Sequence, residues 1–341
     1  MRLGETTTRT ALALALLAAL PGPAPAQIDM QTLELALQNR QLLLAIVDRL
    51  QKLEIEAGQR SDPDRSRQRE AAATALVSDP SPPAQQAAQS LAAGDIATAT
   101  ATLRRQAEAA DAEAAARWRR LGALANGVNF AEALNAYERA FALEPGDFWT
   151  CIELARLRQQ AGRLPAAREA AEAAARAART DRERSVADNK LGDVLREAGD
   201  LPAARARYEA SLAAAERLAR DNPASAQAQR DLSISLNKLG DVLREAGDLP
   251  AARARYEASL AVLERLARDN PASAEAQRDL SVSLERLGDV AEQAGDIPAA
   301  IANYERSLPI ARALATANPG HPGLKRDVEI TERRLTALRT R

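Results

Sequence analysis

Residues Lys190–Leu236 read KLGDVLREAGDLPAARARYEASLAAAERLARDNPASAQAQRDLSISL. Residues Lys238–Leu284 repeat that run with four substitutions: Ala214/Val262, Ala215/Leu263, Gln227/Glu275 and Ile234/Val282. A third, more diverged copy opens at Arg286 as RLGDVAEQAGDIPAAIANYERSL. The period is 48 residues. A fixed period of this size predicts a solenoid, in which each unit buries its apolar face only against its neighbours. Such chains present extended surfaces to other proteins, so the repeat points to binding rather than chemistry.

Within one copy the residues spell out a helical hairpin. Leu191-Gly192-Asp193-Val194-Leu195 lies on a first helix, where Gly192 leaves room for a close neighbour. Gly199 can take the left-handed conformation that stops a helix. Asp200 can cap the next helix, and Pro202 is tolerated in its first turn, where the missing amide had no partner. Ala204 and Tyr208, four apart, share one face of the second helix. Asn222-Pro223 ends the unit, and the devices recur at Gly247-Asp248-Leu249-Pro250 and Gly295-Asp296-Ile297-Pro298.

These units resemble tetratricopeptide repeats, whose pattern is W-x2-L-G-x2-Y, then A-x3-F, then P. Trp118-Arg119-Arg120-Leu121-Gly122 matches the opening, with Ala125 where the Tyr would stand; Ala133, Tyr137 and Pro145 continue the match. Leu191-Gly192, Leu239-Gly240 and Leu287-Gly288 repeat the L-G pair, and Ala204/Tyr208, Ala252/Tyr256 and Ala300/Tyr304 the second-helix pair. Leu154-Ala155 with Ala167 and Ala171 is a weaker copy, and Gly94-Asp95 with Ala99 and Leu103 a half-degenerate one. The last units are longer than the ~34 residues usual for the repeat, which predicts longer helices. The Trp118 unit is one residue short between its L-G pair and Ala133, which predicts an irregular turn. The resemblance implies an all-α superhelix of hairpins whose first helices line a concave, partner-binding face.

That reading divides the chain into an N-terminal segment, a helix, a linker and a solenoid over 86–341. The solenoid units are expected at 86–115, 117–147, 149–179, 184–222, 232–270 and 280–318, with a charged amphipathic capping helix over 324–338. In residues 1–26, Arg2 and Arg9 precede the apolar run Ala11–Leu20 and the small-residue site Ala24-Pro25-Ala26, the order of a secretory signal peptide cleaved after Ala26. This predicts a periplasmic or secreted protein. The apolar run is shorter than the ~20 residues needed to cross a bilayer, and no other stretch is long enough, so stable membrane insertion is not expected. Residues 27–57 contain no Pro, and Leu43, Ile46, Leu50 and Leu53 fall at alternating spacings of three and four. That is a short coiled-coil seam, through which the chain could form a homo-oligomer or pack on the solenoid. Residues 58–85 carry Ser61-Asp62-Pro63-Asp64 and Ser78-Asp79-Pro80-Ser81-Pro82-Pro83 and read as a Pro-containing linker.

Composition excludes several functional classes. A formal charge of −1 with interleaved signs does not suit a nucleic-acid partner, which calls for a basic surface. Aromatics are only 3 %, so Ala-rich helices in close approach must build the core. Cys151 sits in an apolar helical pattern and has no second Cys to pair with; His321 lies in a Pro/Gly turn with no second imidazole. No metal or cofactor motif, P-loop, HExxH or GxSxG is present. The expectation is a chain that is not an enzyme and holds no cofactor, a hydrolase with an unrecognised site being the remote alternative.

The candidate binding residues form a periodic ladder on the first helices. Asn189 and Asn237 recur two residues before the Leu of the L-G pair, Asp193, Asp241 and Asp289 follow the glycines, and Arg196 and Arg244 lie about a turn further on. An Asn amide can hold a peptide backbone regardless of its sequence, and a row of Asp favours basic segments. The competing reading is that Asp193 and Arg196 pair on the helix surface. Arg205, Arg207, Arg253 and Arg255 read as outer-face charge. The function expected is a protein-interaction scaffold binding a partner peptide or helix on the concave face. The alternative is an oligomeric organiser of an envelope complex, similar in layout to periplasmic cell-division coordinators that place a trimeric coiled coil before such repeats.

Overall fold

The computed structural model describes residues 30–56, 62–108 and 113–340; the signal peptide expected over 1–26 lies outside them. All the regular structure among the described residues is helical, and the described residues fall into two compact units, 30–53 with 62–108 and 54–56 with 113–340.

The first unit holds α1 (Met30–Glu56), α2 (Pro63–Ser78), α3 (Pro82–Ala93) and α4 (Ile96–Ala107), although the last turn of α1 falls with the second unit. Ile46 and Leu50 of the expected seam are buried within the chain, and Leu43 and Leu53 are half-buried. The linker reading of 58–85 is corrected by α2. The Asp62 side chain accepts the amides of Asp64 (2.9 Å) and Arg65 (3.0 Å), and Pro63 occupies the first turn. A proline read as a breaker is here a helix start, because its absent N–H falls where no intrahelical acceptor exists. Gln85 then donates to the carbonyls of Val77 (3.2 Å) and Asp79 (2.7 Å), fixing the turn into α3. The hairpin α3–α4 starts at Pro82, earlier than the solenoid start expected at 86, and Ala84, Ala88, Leu91, Ala99 and Leu103 are buried.

The second unit is a run of hairpins. In order these are α5 (Ala114–Ala125) with α6 (Phe130–Leu143), α7 (Phe148–Gln160) with α8 (Leu164–Ala177), and α9 (Asp181–Glu197) with α10 (Leu201–Asp221). Then come α11 (Ala226–Glu245) with α12 (Leu249–Asp269), α13 (Ala274–Gln293) with α14 (Ile297–Ala317), and the single helix α15 (Pro322–Arg339). Helices α5–α8 have 12 to 14 residues. Those of the 48-residue units have 17 to 21, which is where the extra length of the repeat goes.

The devices read from sequence are in place. Asp200, Asp248 and Asp296 cap α10, α12 and α14 by accepting the amides of Ala203, Ala251 and Ala299. The glycine before each of them has φ near +80°, which a side chain would strain. The L-G glycines serve packing instead. A Cβ on Gly192, Gly240 or Gly288 would stand 2.5 to 2.6 Å from the ring of Tyr208, Tyr256 or Tyr304. Each repeat's buried Tyr thus lies on the bare backbone of its own first helix.

Aligned on the period, α15 is a fourth first helix. Arg326, Asp327, Thr331, Arg334 and Leu335 stand where α13 has Arg278, Asp279, Ser283, Arg286 and Leu287. The next Gly-Asp becomes Thr336-Ala337, which can neither admit a Tyr ring nor hold its hydroxyl. The outer face of α15 is accordingly polar, as the cap expected over 324–338 requires.

Candidate first-helix binding face

Helices α9, α11, α13 and α15 carry two sets of ion pairs that run in opposite directions along the repeats. Arg182 reaches Asp231 (2.9 Å), Arg230 reaches Asp279 (2.6 Å) and Arg278 reaches Asp327 (3.1 Å), each from one first helix to the next. In the other direction Lys238 donates to Asp193 (2.6 Å), Arg286 to Asp241 (3.0 Å) and Arg334 to Asp289. Every first helix of the 48-residue units is therefore stitched to its successor near both ends.

The three aspartates proposed from sequence as a row for basic ligands are the centre of this stitching. Each also accepts the hydroxyl of its own repeat's tyrosine: Tyr208 on Asp193 (2.8 Å), Tyr256 on Asp241 (2.8 Å) and Tyr304 on Asp289 (2.6 Å). Burial pushes the Asp193 carboxyl up. Lys238 and Lys190, with hydrogen bonds from Lys238 and Tyr208, outweigh it and hold its pKa at about 2. Asp241 is likewise lowered: burial opposes, and Arg286 and the Tyr256 hydroxyl prevail. Burial, with the facing carboxylate, drives Tyr208 and Tyr256 up, so both stay protonated donors. These carboxylates are matched within the protein, and the Asp row is a structural element rather than an open acidic track.

The other ladder residues divide. The Asn189 amide donates to Ser235 Oγ (3.2 Å), which belongs to a buried hydroxyl cluster with Ser185 and Ser211. The Asn189 amide nitrogen therefore serves the repeat interface, while its buried Oδ1 has no hydrogen-bond partner among the described residues. Arg196 pairs with Glu245 (3.2 Å) and lies 4.0 Å from Asp241. Arg244 is its 48-residue counterpart, but Gln293 stands where Arg196 meets Glu245. Half-buried Arg244 makes no ion pair or hydrogen bond among the described residues. Asn237, two turns earlier on α11, has an Oδ1 without a hydrogen-bond partner among them.

Sequence reasoning missed the continuation of the polar face into the shorter hairpins. The one-residue-short turn after α5 puts Asn126 in an extended conformation. Its amide donates to Glu153 (2.9 Å), and Arg156 bonds both Glu153 (3.0 Å) and Asn126 Oδ1 (2.6 Å). The spacing deficit was the only trace of this in the sequence. Cys151 is buried and its thiol is pushed up to about 11, chiefly by that burial. No cluster of potential metal ligands occurs among the described residues, and no described helix is long and apolar enough to cross a membrane.

Helical hairpins stacked through an L-G glycine, a ring above it and a recurring Gly-Asp turn define a solenoid of the kind that serves as a protein-interaction scaffold. Residues 123–187 and 231–313 match models of the tetratricopeptide repeat, and the chain is a tetratricopeptide-repeat protein. Among solved structures it is similar to BtubC (BKLC) from P. vanneervenii, at 21 % identity and a TM-score of 0.50, over 69 % of this chain and 92 % of that one. It also matches a tetratricopeptide repeat protein from Parabacteroides merdae (14 % identity, 79 % and 97 % covered, TM-score 0.45). A third match is pilF of Pseudomonas aeruginosa (17 % identity, 77 % and 97 % covered, TM-score 0.42). At these identities the likeness is one of fold. No curated protein matches the chain. Proteins of this repeat family are in general non-catalytic scaffolds.

Proposed function

We propose that the second unit binds a partner polypeptide along its first helices, on the face centred on α11. The observation that carries this reading is the contrast between neighbouring groups there. Asp193, Asp241 and Asp289 are consumed by Tyr, Lys and Arg partners, whereas Arg244 and the Asn237 amide oxygen are not. A half-buried guanidinium has already lost part of its hydration, so a partner acceptor regains more there than at a fully exposed arginine. The ladder supplies rigidity and the uncommitted groups supply contacts.

The chain is proposed to act outside the cytoplasm, since residues 1–26 carry the three ordered elements of an export signal. Appearance of the mature chain, starting at Gln27, in the periplasmic fraction tests this. Self-association through residues 27–57 is the less favoured role, because it would have to displace the contacts that bury Ile46 and Leu50.

The test of binding is crosslinking capture from envelope extract with residues 27–341 as bait. It compares wild type, an Arg244→Glu/Asn237→Ala variant and an Arg255→Glu variant on the exposed outer face. A partner retained by Arg255→Glu and lost from the folded α11 variant supports the reading. A partner retained by both moves binding off this face. The aspartates are left untouched, because changing them would disturb the repeat interface itself.

A further inference from the structure

Position 285 breaks the repeat: the first two copies have Asn189 and Asn237, and the third has Glu285. The exchange puts a carboxyl group where three helices meet. Glu285 of α13 accepts from Ser307 Oγ of α14 (3.1 Å) and from Thr331 Oγ1 of α15 (3.1 Å), both at the same oxygen. Ser307 is buried and also bonds Ser281 of α13 (2.8 Å), and Thr331 is buried as well. Among the described residues no ion pair is made by Glu285. Its near cations are already matched, Arg286 with Asp241 and Arg334 with Asp289.

Helix α15 buries Leu324, Thr331, Leu335 and Leu338, the last two in an apolar cluster with Ala291, Ala300 and Tyr304. Its further ties include the pairs Arg278–Asp327, Arg312–Glu332, Arg339–Glu305 and Arg334–Asp289. A group that changes charge at the α13–α14–α15 junction therefore bears directly on whether this helix stays down.

We infer that Glu285 is a pH-responsive latch on α15, seating that helix more firmly when its carboxyl is protonated than when it is ionised. The groups facing it are Arg286 on its own helix, Ser307 and the Tyr304 phenol on α14, and Thr331, Asp327 and Arg334 on α15; on the α11 side Asp241 is taken up by Arg286. Burial raises the carboxyl above its ordinary value of 4.5. The Thr331 and Ser307 hydroxyls pull down, Asp327 adds to the rise, Arg334 opposes it, and the net direction is up. Once α15 lifts, Glu285 loses the Thr331 contact and regains water, so its pKa falls back. Docking is thus firmest below the undocked value and weakens as pH rises through the docked one. Asp241 is held low, so its ladder pair stays intact while Glu285 titrates. Neutral Asn in the other two copies gives α9–α11 and α11–α13 no such dependence.

The test is hydrogen exchange of the full chain between pH 5 and 8, corrected for intrinsic rates, in wild type, Glu285→Gln and Glu285→Asn. The expected result is an α15 opening constant that rises with pH in wild type, by up to about tenfold per pH unit while one proton is released. Amides of α11 and α12, whose first helix carries neutral Asn237 at the equivalent position, should not follow it, and α15 opening should be flat with pH in both variants. Variants that keep the wild-type slope, or wild-type opening that falls as pH rises, overturn the inference. A carboxyl titration of wild-type Glu285 by NMR is independent of the variants: a midpoint above 4.5 is expected, and one at or below 4.5 also overturns the inference.

Discussion

Tyr256 sets the geometry of its repeat from two directions. Its ring lies on Gly240, where a Cβ would come within 2.5 Å, and its hydroxyl is fixed on Asp241. Gly240→Ala forces a buried ring to move and should cost about 1–3 kcal/mol, as overpacking a close-packed site does. In a Tyr256→Leu background the same change should cost clearly less, and the non-additivity in denaturant midpoints checks the contact. Asp193 tests the electrostatics. Its folded pKa of about 2, against an ordinary 3.8, makes it a group whose stabilisation is present above the unfolded value and lost as pH falls through the folded one. Asp193→Asn should therefore be less stable than wild type by roughly 2–3 kcal/mol at neutral pH. The gap should close between about pH 4 and pH 2, as read by unfolding at each pH. The L-G pair and the Tyr were both legible in the sequence. Their joint role was not, because Asp193, Tyr208 and Lys238 are 15 and 45 residues apart and meet only once the hairpin register is set.

Helix α2 shows how one residue pattern supports two readings. Ser61-Asp62-Pro63 is a breaker for a helix arriving from the N-terminal side and a start for one leaving it. The Ala-rich stretch that follows is short enough to be passed over as filler, yet it buries Ala72, Ala73, Leu76 and Val77. Asp62→Ala removes the acceptor for two amides and should destabilise α2 by about 1 kcal/mol. Faster amide exchange confined to the first turns of α2 is the expected signature; unchanged exchange there would return this segment to the linker reading. The seam of α1 was visible as a spacing, but spacing does not say whether the apolar stripe meets another chain or its own. In the long units Gly-Asp-x-Pro marks the turn inside each hairpin and Asn-Pro the end of its second helix. However, α11 and α13 start at Ala226 and Ala274, ahead of the units expected at 232 and 280, because nothing in the sequence between Asn-Pro and the L-G pair marks where the first helix begins as plainly.

At the scale of the whole molecule, periodicity makes a prediction that no single contact makes. If each repeat is held only by nearest neighbours through the same two sets of ion pairs, one full period can be removed and the cut ends will still match. Deleting Glu216–Leu263 removes 48 residues and joins Ala215 to Glu264, which regenerates the α10 sequence in full. Helix α13 then takes the place of α11 on α9. Asp279 replaces Asp231 as acceptor for Arg182, and Arg286 replaces Lys238 as donor to Asp193. Ser283 replaces Ser235 in the hydroxyl cluster beside Asn189. The one bond with no substitute is Arg196–Glu245, since Gln293 follows instead; as a partly exposed pair it is worth at most about 1 kcal/mol. The shortened chain should keep its helicity per residue and a cooperative transition, at somewhat lower stability because one interface is gone. Removing Glu216–Leu239 instead takes out half a period and joins Ala215 to Gly240, in the middle of a first helix. That junction brings the second helix α12 onto a first helix's seat, so this deletion should lose cooperativity. Equal loss of cooperative unfolding in both deletions, measured by circular dichroism against denaturant, would show that the repeats depend on more than their neighbours.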